Sequence, residues 1–370
     1  LTNTEISDIL RSHRCMQRKS PTESEDLVDR TLLRTAGAAI AGALVTLAVV
    51  ALIFSVRQPA STSSTTAPSA ADASSAPVAV NPPREPRKFE DVVVSTEWLA
   101  QNLDNPKVRV IEVSVVPGVY ERGHIPGAVN FVWTTDFVDT VSRNIIAPER
   151  FQELARAAGI NNDTTIVLYG DNNNWFAAWG AWVFRQYGAE DVRLLDGSRS
   201  KWEAENRELS TRAPTYPPGD FTVRQRSDLR VFLPDVLKVV RGEEQKVLVD
   251  IRSPDEFSGK IFAPEGFQEL AVRAGHIPGA VNVPWKKALN EDGTFKSVEE
   301  LRKLYAEAGV DGSKPVITYC RIGERASHTW FVLSEILGYQ VALYDGSWTE
   351  YGNSVGVPIA NPAGTIWGVK

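Results

Sequence analysis

Along the first ninety residues one long apolar block stands out. Residues 35–56 read TAGAAIAGALVTLAVVALIFSV without one charge. As a helix this run spans about 33 Å at ~1.5 Å per residue, enough for a bilayer core of roughly 30 Å. Arg11, Arg14, Arg18, Lys19, Arg30 and Arg34 precede it, and only Arg57 follows closely. The pattern predicts a cytoplasmic segment over 1–34 and a single-pass transmembrane helix over 35–56 in the cell membrane, with everything beyond it extracytoplasmic. Secretion after signal cleavage is the alternative. Residues 57–88 hold six prolines among Ser, Thr and Ala, and no aromatic residue, which predicts a disordered linker.

Beyond residue 88 short β-rich runs alternate with helical patterns, and the series occurs twice. GHIPGAVN stands at 123–130 and again at 275–282. Upstream of each lies an apolar run ending near an acid, VRVIEV with Glu112 and KVLVDI with Asp250. Downstream come TTIVLYG and KPVITYC, then the helical stretches NWFAAWGAWVFRQYG and RASHTWFVLSEILGYQ, then VRLLDGS and VALYDGS. An eight-residue identity flanked by the same order of elements is a duplication. The alternation predicts an α/β fold: two similar domains, at 89–208 and 228–360, each a parallel sheet with helices on both faces. Pro214 to Gly219 mark the link between them.

Composition narrows the chemistry. The 370 residues carry a net charge of −6, which argues against a nucleic-acid binder with a broad basic footprint. Two cysteines, Cys15 and Cys320, exclude a disulfide scaffold, and four histidines leave little for a metal site. One reactive thiol remains. Cys320 closes an apolar strand and precedes the loop Arg321-Ile322-Gly323-Glu324-Arg325 and a helix. A thiol at the carboxyl end of a parallel strand occupies the usual ligand position of such sheets. Helix N–H groups and neighbouring arginines favour the thiolate there. Gly323 lets the backbone curl so that N–H groups point inward, and Arg321 and Arg325 add charge for an anion. His124 and His276 recur in both copies and read as loop stitching; His328 reads as packing.

These residues resemble the tandem-domain rhodanese (thiosulfate sulfurtransferase) family, through the doubled GHIPGAVN, the strand ending in Cys320, the loop CRIGERA and the sequence DGSWTEYGN. The resemblance covers residues 90–360. It implies a catalytic second domain and a silent first one, in which Gly170 stands where Cys320 stands in the second. It implies Cys320 as nucleophile, the loop Arg321, Ile322, Gly323, Glu324 and Arg325 as substrate-binding residues, and Asp250, Arg252 and Trp348 as supporting ones. The implied reaction takes sulfane sulfur from thiosulfate onto Cys320 as a persulfide and passes it to cyanide or a thiol, with no cofactor and no metal. The loop is one residue shorter than in the related phosphatases. Ile322, where vertebrate-type enzymes carry a lysine, and Glu256, where members often carry an arginine, depart from the pattern. A 3-mercaptopyruvate sulfurtransferase and a membrane-tethered persulfide carrier with little turnover are the alternatives.

Overall fold

Each apolar run of the repeat forms a parallel strand in the computed structural model, which describes residues 87–266 and 271–368. The first copy holds β1 (Val93–Val94), β2 (Val108–Glu112), β3 (Val129–Asn130), β4 (Thr165–Tyr169) and β5 (Val192–Leu195). The second holds β6 (Arg230–Val231), β7 (Val247–Asp250), β8 (Val281–Asn282), β9 (Val316–Tyr319) and β10 (Val341–Tyr344). The two sheets have the same order, β1-β5-β4-β2-β3 and β6-β10-β9-β7-β8. Registers also correspond, with Glu112 opposite Tyr169 in one and Asp250 opposite Tyr319 in the other. Strands covered on both faces read as continuous apolar runs, so β4 and β9 lack the alternation of a half-exposed strand.

The covering layers differ. On the outer faces, Trp202 closes a small core with Val110 and Leu195, while Trp348 and Tyr351 close one with Ile317 and Tyr344. On the inner faces, the helix Trp175–Gln186 packs against Glu324–Trp330 and its π-type continuation Phe331–Ile336, so one continuous core runs from one sheet to the other. The helix Trp175–Gln186 sits tightly on its own sheet. A Cβ at Gly180 would come 2.8 Å from Leu168 and 3.1 Å from Phe137. Buried polar contacts also cross between copies: Arg185 pairs with Glu335 at 2.9 Å, and the Trp182 indole donates to the Leu229 carbonyl at 3.1 Å. Both copies belong to one compact unit of the chain.

The expectation of a membrane-anchored fold, and of a cell-membrane location with extracytoplasmic domains, is corrected. Among the described residues no helix is long and apolar enough to cross a membrane. The continuous helix from Glu324 to Ile336 reaches only about 20 Å, against a bilayer core of roughly 30 Å. The segments 1–34 and 35–56, and the linker up to residue 86, lie outside the described residues.

Candidate active site

Cys320 follows β9, the strand between β10 and β7, and is fully buried. Its backbone is fixed by the turn after β10. The Cys320 N–H donates to Ser347 Oγ at 3.2 Å, and that hydroxyl donates to the Tyr344 carbonyl at 2.8 Å. The Cys320 carbonyl accepts the Trp348 N–H at 3.0 Å, and the Arg321 carbonyl accepts both the N–H and the hydroxyl of Thr349 at 2.8 Å. The loop then turns back, and the Gly323 N–H donates to Cys320 Sγ at 3.1 Å. Only glycine fits there: φ is +110°, and a Cβ would come 2.7 Å from the Asp345 carbonyl. A backbone N–H aimed at sulfur favours negative charge on it.

The charged residues of the loop have different surroundings. Arg325 Nη2 pairs with Glu256 Oε1 at 3.2 Å, and its guanidinium lies 5.5 Å from the Trp175 ring. Glu256, one of the two departures noted in the sequence, is thus the partner of Arg325. Arg321 is partly buried, and its charge acts on Glu324. Glu324 is itself buried, and loss of hydration pushes its carboxyl up to about 8, against the lowering influence of Arg143 and Arg321. Ile322 is partly buried and lines a cavity of about 270 Å³ with Glu324, Asp345, Trp133, Arg143 and Trp179.

Asp250 and Arg252 form a closed pair at 2.6 Å, with the guanidinium also donating to the Gly275 carbonyl at 2.7 Å and lying 4.8 Å from the Trp348 ring. This pair ties the end of β7 to the second GHIPGAVN loop. The first copy makes the same tie from another position: Arg199 pairs with Glu112 at 2.8 Å and donates to the Gly123 carbonyl. Trp348 is buried; its indole donates to the Arg273 carbonyl at 3.0 Å, and its backbone steadies Cys320. His276 bonds the Phe257 carbonyl at 2.6 Å and His124 bonds that of Tyr120 at 3.0 Å, each ring stacked on the same aromatic side chain. Burial beside Trp285 and Phe295 pushes His328 down to about 3, so it is neutral.

The equivalent loop of the first copy is filled by its own side chains. A Cβ at Gly170 would come 2.2 Å from the Val113 carbonyl. The Asp171 carboxylate accepts the N–H groups of Val115 and Val116 at 3.0 and 2.8 Å, leaving them nothing to offer an anion. Three neighbours of the Cys320 loop escaped the sequence reading: Arg143, Asp345 and the anchoring hydroxyl of Ser347. The DGS turns that hold Asp345 and Ser347 were visible as repeats, but not their contact with the loop.

Comparison with known proteins agrees with this architecture. A family model described as Rhodanese-like domain matches residues 95–205 and 233–354. The chain is 54% identical over 272 residues to a protein of Mycolicibacterium smegmatis named "Putative thiosulfate sulfurtransferase", covering 73% of this chain and 97% of that one. It is 53% identical over 275 residues to the "Sulfur carrier protein TtuD" of Thermus thermophilus, covering 73% and 96%. Among solved structures, SseA from Escherichia coli, titled for the catalytic mechanism of 3-mercaptopyruvate sulfotransferases, matches with TM-score 0.60 and 30% identity over 69% of this chain and 98% of that one. With both copies matched, sheets of identical order and a cysteine loop in the second, the chain belongs to the rhodanese family.

Proposed function

We propose that the chain is a sulfurtransferase in which Cys320 carries sulfane sulfur from thiosulfate to cyanide or a thiol. The observation that carries this reading is the Gly323 N–H directed at Cys320 Sγ at 3.1 Å, at the carboxyl end of a central strand. In the first step the Cys320 thiolate attacks the outer sulfur of thiosulfate. The S–S bond of thiosulfate breaks, its electron pair leaves with sulfite, and Cys320 becomes a persulfide. In the second, cyanide or a thiolate attacks the outer sulfur, the Sγ–S bond breaks, and Cys320 returns as thiolate. Dividing the transfer this way needs only a good nucleophile and a site that tolerates negative charge on sulfur. Loop N–H groups and the positive charge of Arg321 supply that. The first copy, with Gly170 at the corresponding position, acts as scaffold.

The names of the relatives support sulfur transfer and divide over its partners. The Thermus protein named as a sulfur carrier favours a second reading, in which the Cys320 persulfide is delivered to a protein with little turnover. Steady-state formation of thiocyanate from thiosulfate and cyanide separates the two. Rapid turnover supports the enzyme; a stable persulfide with negligible turnover supports the carrier. Replacing thiosulfate by 3-mercaptopyruvate in the same assay tests the donor.

A further inference from the structure

Two hairpins occupy equivalent places in the two copies. One is closed by the bridge between Val138 and Ile145, the other by that between Leu289 and Phe295. Counting back from Ile145 and from Phe295, Arg143 and Gly293 share a position, and both have left-handed backbone, with φ of 55° and 81°. Glycine adopts this conformation freely; an arginine there is strained. Such a residue persists where its surroundings hold it, often at a site that uses it.

Each hairpin reaches across to the other copy, to the loop that follows its central strand and to the turn after the neighbouring strand. Phe295 donates its N–H to Asp196 at 2.9 Å, and Gly293 lies beside Asn173 in the loop that lacks a cysteine. Arg143 instead extends its guanidinium into the Cys320 loop. Its Nη1 pairs with Asp345 Oδ1 at 3.1 Å, and its Nη2 donates to the Ile322 carbonyl and lies 3.6 Å from Glu324 Oε1. The Ile322 carbonyl and the Gly323 N–H belong to one peptide unit. That unit is planar, so gripping its oxygen on one side orients and polarises the N–H that donates to Cys320 Sγ on the other. Asp345, which Gly323 packs against, is held from a second side by Arg230 at 2.5 Å.

We propose that Arg143, contributed by the copy without a nucleophile, is a positioning residue that holds the Cys320 loop in the shape and charge the sulfur-accepting step requires. The inference rests on Cys320 being the sulfur-carrying nucleophile. It gives the first copy a part in the reaction beyond scaffolding, since an Arg143 lost from one copy disables the loop of the other. The ionisable groups around the Cys320 loop are Arg321, Glu324 and Arg325 on the loop itself, Asp345 after β10, Arg230 in β6, the Asp250–Arg252 pair at the end of β7, and Glu256 beyond it. Arg143 is the cation added from the first copy. Burial opposes the charge on Arg143, and Asp345 and then Glu324 outweigh it, with Cys320 the least of the influences that favour the charged form.

The test uses Arg143→Gly, which places in this hairpin the residue its counterpart already has and relieves the backbone, and Arg143→Lys. Three readouts are taken: thermal melting, the single-turnover burst of sulfite released from thiosulfate, and the pH profile of Cys320 alkylation by iodoacetamide. The expected result is a folded Arg143→Gly whose burst is slowed by about tenfold or more and whose alkylation profile lies at higher pH. Arg143→Lys should fall between the two, and added guanidinium should speed the Gly variant. Should Arg143→Gly melt below the assay temperature, Arg143→Lys against wild type carries the same readouts. An unchanged burst, or a slowed burst with an unshifted alkylation profile and no rescue by guanidinium, overturns the proposal. Wild-type protein that gains no sulfur on Cys320 fails the functional reading itself, a result distinct from either.

Discussion

Glu324→Gln isolates a titration in the loop that follows Cys320. The Glu324 carboxyl is buried, its Oε2 has no hydrogen-bond partner, and burial pushes it from an ordinary 4.5 up to about 8. Between those two pH values the folded chain holds a proton on Glu324 that the unfolded chain has released. Stability therefore falls as pH rises through this window, is greatest for this group below the unfolded value, and levels off above pH 8. The separation from 4.5 to about 8, at ~1.36 kcal/mol per pH unit, makes the loss about 5 kcal/mol. That is a large share of the roughly 5–15 kcal/mol that holds a typical domain. Gln has the shape of the protonated acid but does not titrate, so the variant should lose this part of the pH dependence. Burial also pushes Glu335 up, to about 7, with the same sign, but it is present in both proteins and cancels. The assay is denaturant unfolding of both proteins at pH 5 and pH 8.5 in the same buffer series. The difference between them should widen by several kcal/mol in favour of Gln at the higher pH. If wild type and Glu324→Gln lose stability in parallel, Glu324 is not held neutral by burial and the reasoning fails.

Two other substitutions probe the framework. Asp250→Ala leaves Arg252 as an unpaired charge in a fully buried place, and should cost about 3–5 kcal/mol in denaturant unfolding; a loss under ~1 kcal/mol would show that the pair does not tie β7 to the loop at 275–282. Gly170→Cys should not create a second active site. Its Cβ would come 2.2 Å from the Val113 carbonyl, so the melting temperature should drop and no sulfur should appear at residue 170 by peptide mass spectrometry. A stable variant labelled there would mean that the first loop opens.

The runs flanking the doubled GHIPGAVN were enough to place six of the ten parallel strands, β2, β4 and β5 with β7, β9 and β10, because a strand covered on both faces must be apolar throughout and ends where polarity returns; β1, β3, β6 and β8 hold two residues each and leave no such run to read. Cys320 and Gly323 were legible for the same reason: a thiol and then a flexible residue directly after an apolar run can only be a loop at a strand end. The partners of that loop were not. Arg143 lies in a stretch without any recognisable motif, and Asp345 meets it across the two copies, a pairing that sequence spacing does not encode. Arg325 read as a cation for the substrate, yet its guanidinium meets Glu256 at 3.2 Å, a contact set by the short helix Pro254–Ser258. Asp250 and Arg252 lie close in sequence and still gave no hint that Arg199, from a different position, does the same work in the first copy. The uncharged run at 35–56 is a local signal read without its surroundings, and the described part of the fold holds no membrane-spanning helix to support it.

The central claim is that Cys320 receives sulfur from thiosulfate as a persulfide. The most direct measurement is peptide mass spectrometry of the whole protein after a brief exposure to thiosulfate, with released sulfite assayed in parallel. The account predicts one added sulfur on the Cys320 peptide, sulfite released in equal amount, loss of the added sulfur as thiocyanate when cyanide is supplied, and none of these in Cys320→Ser. Sulfite release without sulfur on Cys320, or retained transfer in Cys320→Ser, would contradict it.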